Sequence, residues 1–157
     1  MTDKRTLILG VGNDILTDDG IGSRLVTDLI KLIDSPDILF NTACCGGLEI
    51  VEYIKDFKRV ILVDAIRTQG GRPGAVYYFI PSDFRETSHL SNLHDVSFLT
   101  ALELYDTLNL CLPDEIHIIA VEIAEDMIFS EEFTQQLKER YPGILEKVLD
   151  IIKQIII

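Results

Sequence analysis

The run Thr6-Leu7-Ile8-Leu9-Gly10-Val11 shows no alternation of apolar and polar residues, and neither does Val60-Ile61-Leu62-Val63 behind Arg59. A strand with one face in water alternates with a period of two, whereas a strand that is apolar throughout is covered on both faces. Covering both faces of a sheet takes helices above and below it, and helical patterns lie between the runs. Ile21, Leu25, Leu29 and Ile33 recur every four residues, with Val26 and Ile30 beside them. Leu48, Val51, Tyr53 and Ile54 fit a short helix, and Phe98, Leu99, Leu102 and Tyr105 mark another from His94 to Leu108. A terminal helix begins at Ser130 or Thr134 and is expected to bend at Pro142-Gly143. Further strands are expected from Ile38-Leu39-Phe40 toward Ala43, over Ala75 to Ile80, and over Ile116 to Ile123. The alternation predicts an α/β chain: a three-layer α/β/α sandwich around a central, mainly parallel, twisted sheet of about five strands. No internal repeat or linker interrupts it, so residues 1–157 read as a single domain.

Composition narrows the partners. Fourteen Lys and Arg stand against 26 Asp and Glu, a net charge of −12 with His neutral. Such a chain, without a basic cluster, repels phosphate, so nucleic acid and anionic membranes are not expected partners. The apolar run near Met1 is too short for a signal-peptide core, and no stretch reaches the roughly 18 apolar residues of a membrane span. Cys44, Cys45 and Cys111 are odd in number and form no C-x-x-C pair. They suggest neither a disulfide framework nor a zinc finger. A soluble, cytoplasmic protein is expected.

In open parallel sheets, ligands bind outside the carboxyl ends of the strands. Three loops lie there: Asn13 to Gly20, Cys44 to Gly47, and the segment from Asp64 onward. The first is acidic and has Ile15 where a dinucleotide-binding loop needs its third glycine, so a pyrophosphate site is not expected. Asp18 or Asp19 can serve as a cap for the following helix. That role does not account for both, nor for Asp64 at a neighbouring strand end. Carboxylates gathered at one rim repel each other unless they bind a proton or a cation. His89 and His94 are the available imidazoles. Two carboxylates and one imidazole suit a divalent first-row metal. The alternative is ordinary: one cap, one strand-end turn and a surface His.

Gly10-Val11-Gly12-Asn13 followed by Leu16-Thr17-Asp18-Asp19-Gly20-Ile21-Gly22 resembles the N-terminal signature of the nickel–iron hydrogenase maturation endopeptidases. The resemblance continues in Val60-Ile61-Leu62-Val63-Asp64-Ala65 with Pro73-Gly74-Ala75-Val76, and in Leu93-His94-Asp95-Val96-Ser97-Phe98-Leu99 with Ala101-Leu102. Ile118-Ile119-Ala120-Val121-Glu122-Ile123, with Phe129-Ser130 and Phe133-Thr134, completes it. The resemblance implies a protease that removes a short C-terminal extension from a hydrogenase large-subunit precursor once nickel is in place. The nickel is carried by the precursor, with other divalent ions able to substitute in vitro. The implied metal-contacting and catalytic residues are Asp19, Asp64 and His94. Asp19 is preferred to Asp18 because it directly precedes the small residue Gly20, and His94 to His89 because the apolar helix pattern follows it at the family's offset. His89 stays a rival. The implied partner is the precursor, with the chain itself a monomer or weak homodimer.

One departure concerns the second loop. The family has an Asp-x-Gly-Thr-like box there, associated with recognition of the precursor. This chain reads Thr42-Ala43-Cys44-Cys45, then Gly46-Gly47-Leu48-Glu49, and the aspartate and threonine are missing from their places. The cysteines read either as small residues in a tight turn or as soft ligands or a nucleophile. No H-E-x-x-H helix and no evident Ser/His/Asp set is present. Two other functions compete. One is a receiver-like domain phosphorylated at Asp64, which Asp18 and Asp19 mimic but which lacks a Lys near the fifth strand. The other is a homologue that binds metal or a hydrogenase subunit without cleaving. Arg67 and Arg72 can hold a carboxylate of the precursor, or be solvated loop charges.

Overall fold

The computed structural model describes residues 5–83, 87–90 and 97–157. Five strands form one sheet in the order β2-β1-β3-β5-β4: β1 (Thr6–Val11), β2 (Ile38–Ala43), β3 (Arg59–Ile66), β4 (Val76–Phe79) and β5 (Glu115–Glu122). The pairs β1–β2, β1–β3 and β3–β5 are parallel, while β4 runs antiparallel on the edge beside β5. The helices are α1 (Ile21–Leu29), α2 (Gly47–Ile54), α3 (Phe98–Thr107) and α4 (Gln135–Ile156).

The apolar strands are buried on both faces, as their lack of alternation requires. Leu7, Leu9, Val60, Leu62 and Ile118 pack with Ile50, Ile54 of α2 and Phe98 of α3. The intervening residues Ile8, Ile61, Val63 and Ile119 pack with Leu25, Leu29 of α1 and Val148, Ile152 of α4. This is the expected three-layer sandwich. Each such fully buried aliphatic side chain contributes on the order of 2 kcal/mol.

Glycine sets the depth of α1. A Cβ on Gly22 would collide with the carbonyl oxygens of Val63 and Val11, and one on Gly10 with the carbonyl of Gly22. Gly10 and Gly22 thus seat the helix directly on the sheet. That contact puts the loop between β1 and α1 against the end of β3.

Some boundaries differ from expectation. Helix α1 ends at Leu29 and passes into a turn, short of Ile33. Helix α3 starts at Phe98 because Ser97 caps it, its hydroxyl oxygen accepting the Thr100 N–H at 3.3 Å. The part expected from His94 to Val96 lies outside the described residues. Helix α4 runs through Pro142. Pro142 has no N–H to donate to Lys138, and the twenty-two-residue helix continues around that single missing bond.

Candidate functional site

The strand order reverses between β1 and β3: the chain leads from β1 outward to β2, whereas from β3 it leads the other way, past β5 to β4. A crevice outside the carboxyl ends of two such strands is the standard ligand position in open α/β sheets. The loop after β1 and the last turn of β3 meet at that crevice.

The two adjacent aspartates of the first loop point in different directions. Residues Thr17–Gly20 form a tight helical turn, with Thr17 at φ 53°. From it Asp18, fully buried, turns toward the far end of the chain. Its Oδ2 accepts the N–H of Ala124 at 3.1 Å and of Glu125 at 3.0 Å, and the Thr134 hydroxyl at 3.0 Å. Its Oδ1 accepts the Thr134 N–H at 2.8 Å. Asp18 therefore caps α4 and clasps the segment after β5; it does not cap α1. Backbone bonds extend the clasp: Thr17 N–H to Ser130 O at 2.9 Å and Ser130 N–H to Ile15 O at 2.9 Å.

Asp19, 4% exposed, turns to the crevice. Its Oδ2 accepts the Asn13 N–H at 3.0 Å and lies 3.1 Å from His89 Nε2. Asp64, with no exposed surface, leaves the end of β3 toward the same imidazole. Its Oδ1 lies 2.7 Å from His89 Nδ1 and accepts the Ala65 N–H at 2.8 Å, and its Oδ2 accepts the His89 N–H at 3.1 Å. Both ring nitrogens of His89 therefore face carboxylates. Burial works against charge on the ring, but hydrogen bonds to Asp19 and Asp64, and their charges, outweigh it and push the imidazole up to about 10. At neutral pH the protonated imidazole lies between the two buried carboxyl groups.

Asp19 and Asp64, far apart in sequence, are thus brought together, and the histidine between them is His89. His94 lies outside the described residues. Among the described residues no group of three or more His, Cys, Asp and Glu side chains stands ready to hold a metal ion. At this crevice His89 lies between the two carboxylates. Two carboxylates and an imidazole are donor types that would suit a divalent first-row ion.

A cleft of about 300 Å³ opens beside the crevice. One wall is Asn13, Asp14 and Ile15; the other is Thr42, Ala43 and Cys44 at the end of β2. Because the Asn13 N–H is bonded to Asp19, the cleft and the carboxylate pair share a wall. Cys44 is exposed, and Cys45 is half-buried at the entrance to α2. Burial, then the charges of Glu49 and Cys44, raise the Cys45 thiol to about 11, which leaves it protonated and a poor nucleophile.

Other charges around the rim are structural. Arg67 pairs with Asp126 at 2.7 Å. Glu122, 1% exposed at the end of β5, accepts the Thr68 N–H at 2.9 Å and the Thr68 hydroxyl at 2.5 Å and so ties down the loop after β3. The receiver alternative does not fit the sheet, whose order departs from the 2-1-3-4-5 order of receivers and which carries an antiparallel edge strand.

Comparison with known proteins shows the family. The hydrogenase maturation protease family matches residues 24–151. A hydrogenase expression/formation protein HupD from Bradyrhizobium diazoefficiens is 30% identical over 113 residues, which cover 69% of this chain and 58% of that protein. Among solved structures, the NiFe hydrogenase maturation protease HycI from Thermococcus kodakarensis is 26% identical, with a TM-score of 0.67 over 96% of this chain and 93% of that one. The hydrogenase maturating endopeptidase HybD from Escherichia coli shares the fold with a TM-score of 0.74, at 22% identity over 96% of this chain and 93% of its own. With most of its length matched by the family and its sheet superimposable on these structures, the chain belongs to the hydrogenase maturation proteases.

Proposed function

We propose that this chain is an endopeptidase that removes the C-terminal extension of a nickel–iron hydrogenase large-subunit precursor after nickel insertion. The observation that carries the reading is the Asp19–His89–Asp64 bridge. Two buried carboxylates are held at one rim by a singly charged imidazolium, and a divalent ion presented by the precursor offers them twice that charge. Nickel here is cargo of the substrate. A precursor without it has nothing to draw the carboxylates from His89, so the exchange discriminates loaded from empty substrate by a difference of affinities.

Asp19 and Asp64 are the oxygen contacts to the substrate's metal, with His94 the histidine contact implied by the resemblance and His89 the group that holds the pair when no substrate is bound. The cleft between Asn13–Ile15 and Thr42–Cys44 is where the extended tail lies, beside the pair. Peptide hydrolysis needs a polarised carbonyl and an activated water, and a divalent ion supplies both. The protein's share is to hold the tail, to orient it along the cleft, and to accept a proton at a carboxylate freed from His89. The exposed Cys44 thiol suits a reducing compartment, and we place the reaction in the cytoplasm.

The test is to incubate the purified protein with nickel-loaded and nickel-free precursor and weigh the products. Loss of the C-terminal peptide from the loaded form alone is expected. Equal cleavage of both forms overturns the nickel dependence, and undiminished cleavage by a folded Asp19→Asn variant overturns the site.

A further inference from the structure

The clasp built on Asp18 has a second consequence. It holds the segment after β5 against the first loop in an arrangement that turns large apolar side chains outward. Met127 is 78% exposed, Ile128 59% and Phe129 77%, and Ile15 from the facing loop is 48% exposed. They form one patch because the two loops are bonded together: Ser130 N–H donates to Ile15 O at 2.9 Å, and the Thr17 hydroxyl donates to Ile128 O at 2.5 Å. Clustered exposed apolar side chains of this kind on a monomer are often functional.

The segment is not a loose loop. Glu125 Oε2 accepts the N–H groups of Asp126 and Met127, each at 3.0 Å, and the Asp18 carboxylate fixes Ala124 and Glu125 behind them. A surface ordered before binding loses little conformational entropy when a partner covers it. The rim of the patch carries both signs of charge: Asp14 and Glu131 are exposed, Lys138 pairs with Glu132 at 3.1 Å, and Arg67 pairs with Asp126 at 2.7 Å.

We propose that Ile15, Met127, Ile128 and Phe129 are the docking surface for the folded body of the large-subunit precursor, through an apolar area on that partner. This rests on the protease reading above. Continuity with the site names the occupant: the same short loop turns Asp19 into the crevice, lines the tail cleft with Ile15, and presents Ile15 to the patch. A protein whose tail lies in the cleft has its body over the adjoining rim. The cleft then reads the tail, and the patch grips the rest of the molecule.

The experiment uses the full chain and the nickel-loaded precursor. Affinity is measured by titration and cleavage by mass, for the wild type and for a Met127→Ser/Ile128→Ser/Phe129→Ser variant whose thermal midpoint is checked. At least tenfold weaker binding by the variant, with KM raised and cleavage at saturating precursor unchanged, is expected. Unchanged affinity overturns the docking surface. A variant that binds precursor like the wild type but has lost self-association assigns the patch to a second copy of the chain and overturns the proposal likewise. Wild-type protein that binds without cleaving refutes the protease reading and leaves the docking result standing.

Discussion

Replacing Asp18 by Asn tests the division of labour between the two adjacent aspartates. The carboxylate accepts four hydrogen bonds, three of them from backbone N–H groups, in a position with no exposed surface. Asn keeps one acceptor oxygen. Placed to satisfy Ala124, Glu125 and the Thr134 hydroxyl, it turns its NH₂ toward the Thr134 N–H, donor against donor. A buried donor left without a partner costs about 1–3 kcal/mol, and the three surviving bonds drop from charge-assisted to neutral strength. The opposite rotamer is worse, because it sets the NH₂ against the two backbone donors of Ala124 and Glu125. The sum is about 3 kcal/mol, which for a domain of this size lowers the thermal midpoint by roughly 6–12 °C. Urea denaturation followed by circular dichroism, with a thermal melt beside it, reads the loss. If Asp18→Asn stays within about 0.5 kcal/mol of the wild type, a threshold at the scale of ordinary surface substitutions, the clasp is not what holds α4 to the first loop. The neighbouring Asp19→Asn should behave in the opposite way, with cleavage abolished and a folded chain.

Gly22→Ala should destabilise by about 2–3 kcal/mol in the same denaturation measurement, because the added methyl meets the carbonyls of Val63 and Val11 and lifts α1 from the sheet; a neutral result refutes the close seating. His89 has a folded-state pKa of about 10, above its ordinary 6.5. Its contribution to stability is therefore complete below about pH 6.5 and is lost as pH rises through about 10. Wild-type stability should fall between pH 7 and pH 10 more steeply than that of His89→Gln, and parallel pH profiles refute the bridge. Iodoacetamide modification of Cys45, followed by mass in a Cys44→Ser/Cys111→Ser background, should keep accelerating toward pH 11; a plateau below pH 9 contradicts its raised pKa.

Particular residues mark how much of this was readable along the chain. Strands β1 and β3 were legible because a strand buried on both faces has no polar residues to alternate, and their helices because apolar residues recur on one side. The edge position and antiparallel direction of β4 were not, since the mixed sequence Val76-Tyr77-Tyr78-Phe79 fits either direction until β5 is beside it. The crevice was legible from the rule that ligands sit at strand ends. The exposed Met127-Ile128-Phe129 was not, because apolar residues after a strand ordinarily read as core.

The α/β class, the loops that meet at the rim, and an excess there of carboxylates over helix caps were all written along the chain, and the resemblance already preferred Asp19 to Asp18. Hydrophobic periodicity is a local property and survives in one dimension. Folding is what joins Asp64 to Asp19 through His89 and sends Asp18 away to α4. Asp18 and Asp19 are chemically identical neighbours. What separates them is the Thr134 backbone, which meets Asp18 only after the sheet has closed and α4 has packed across it.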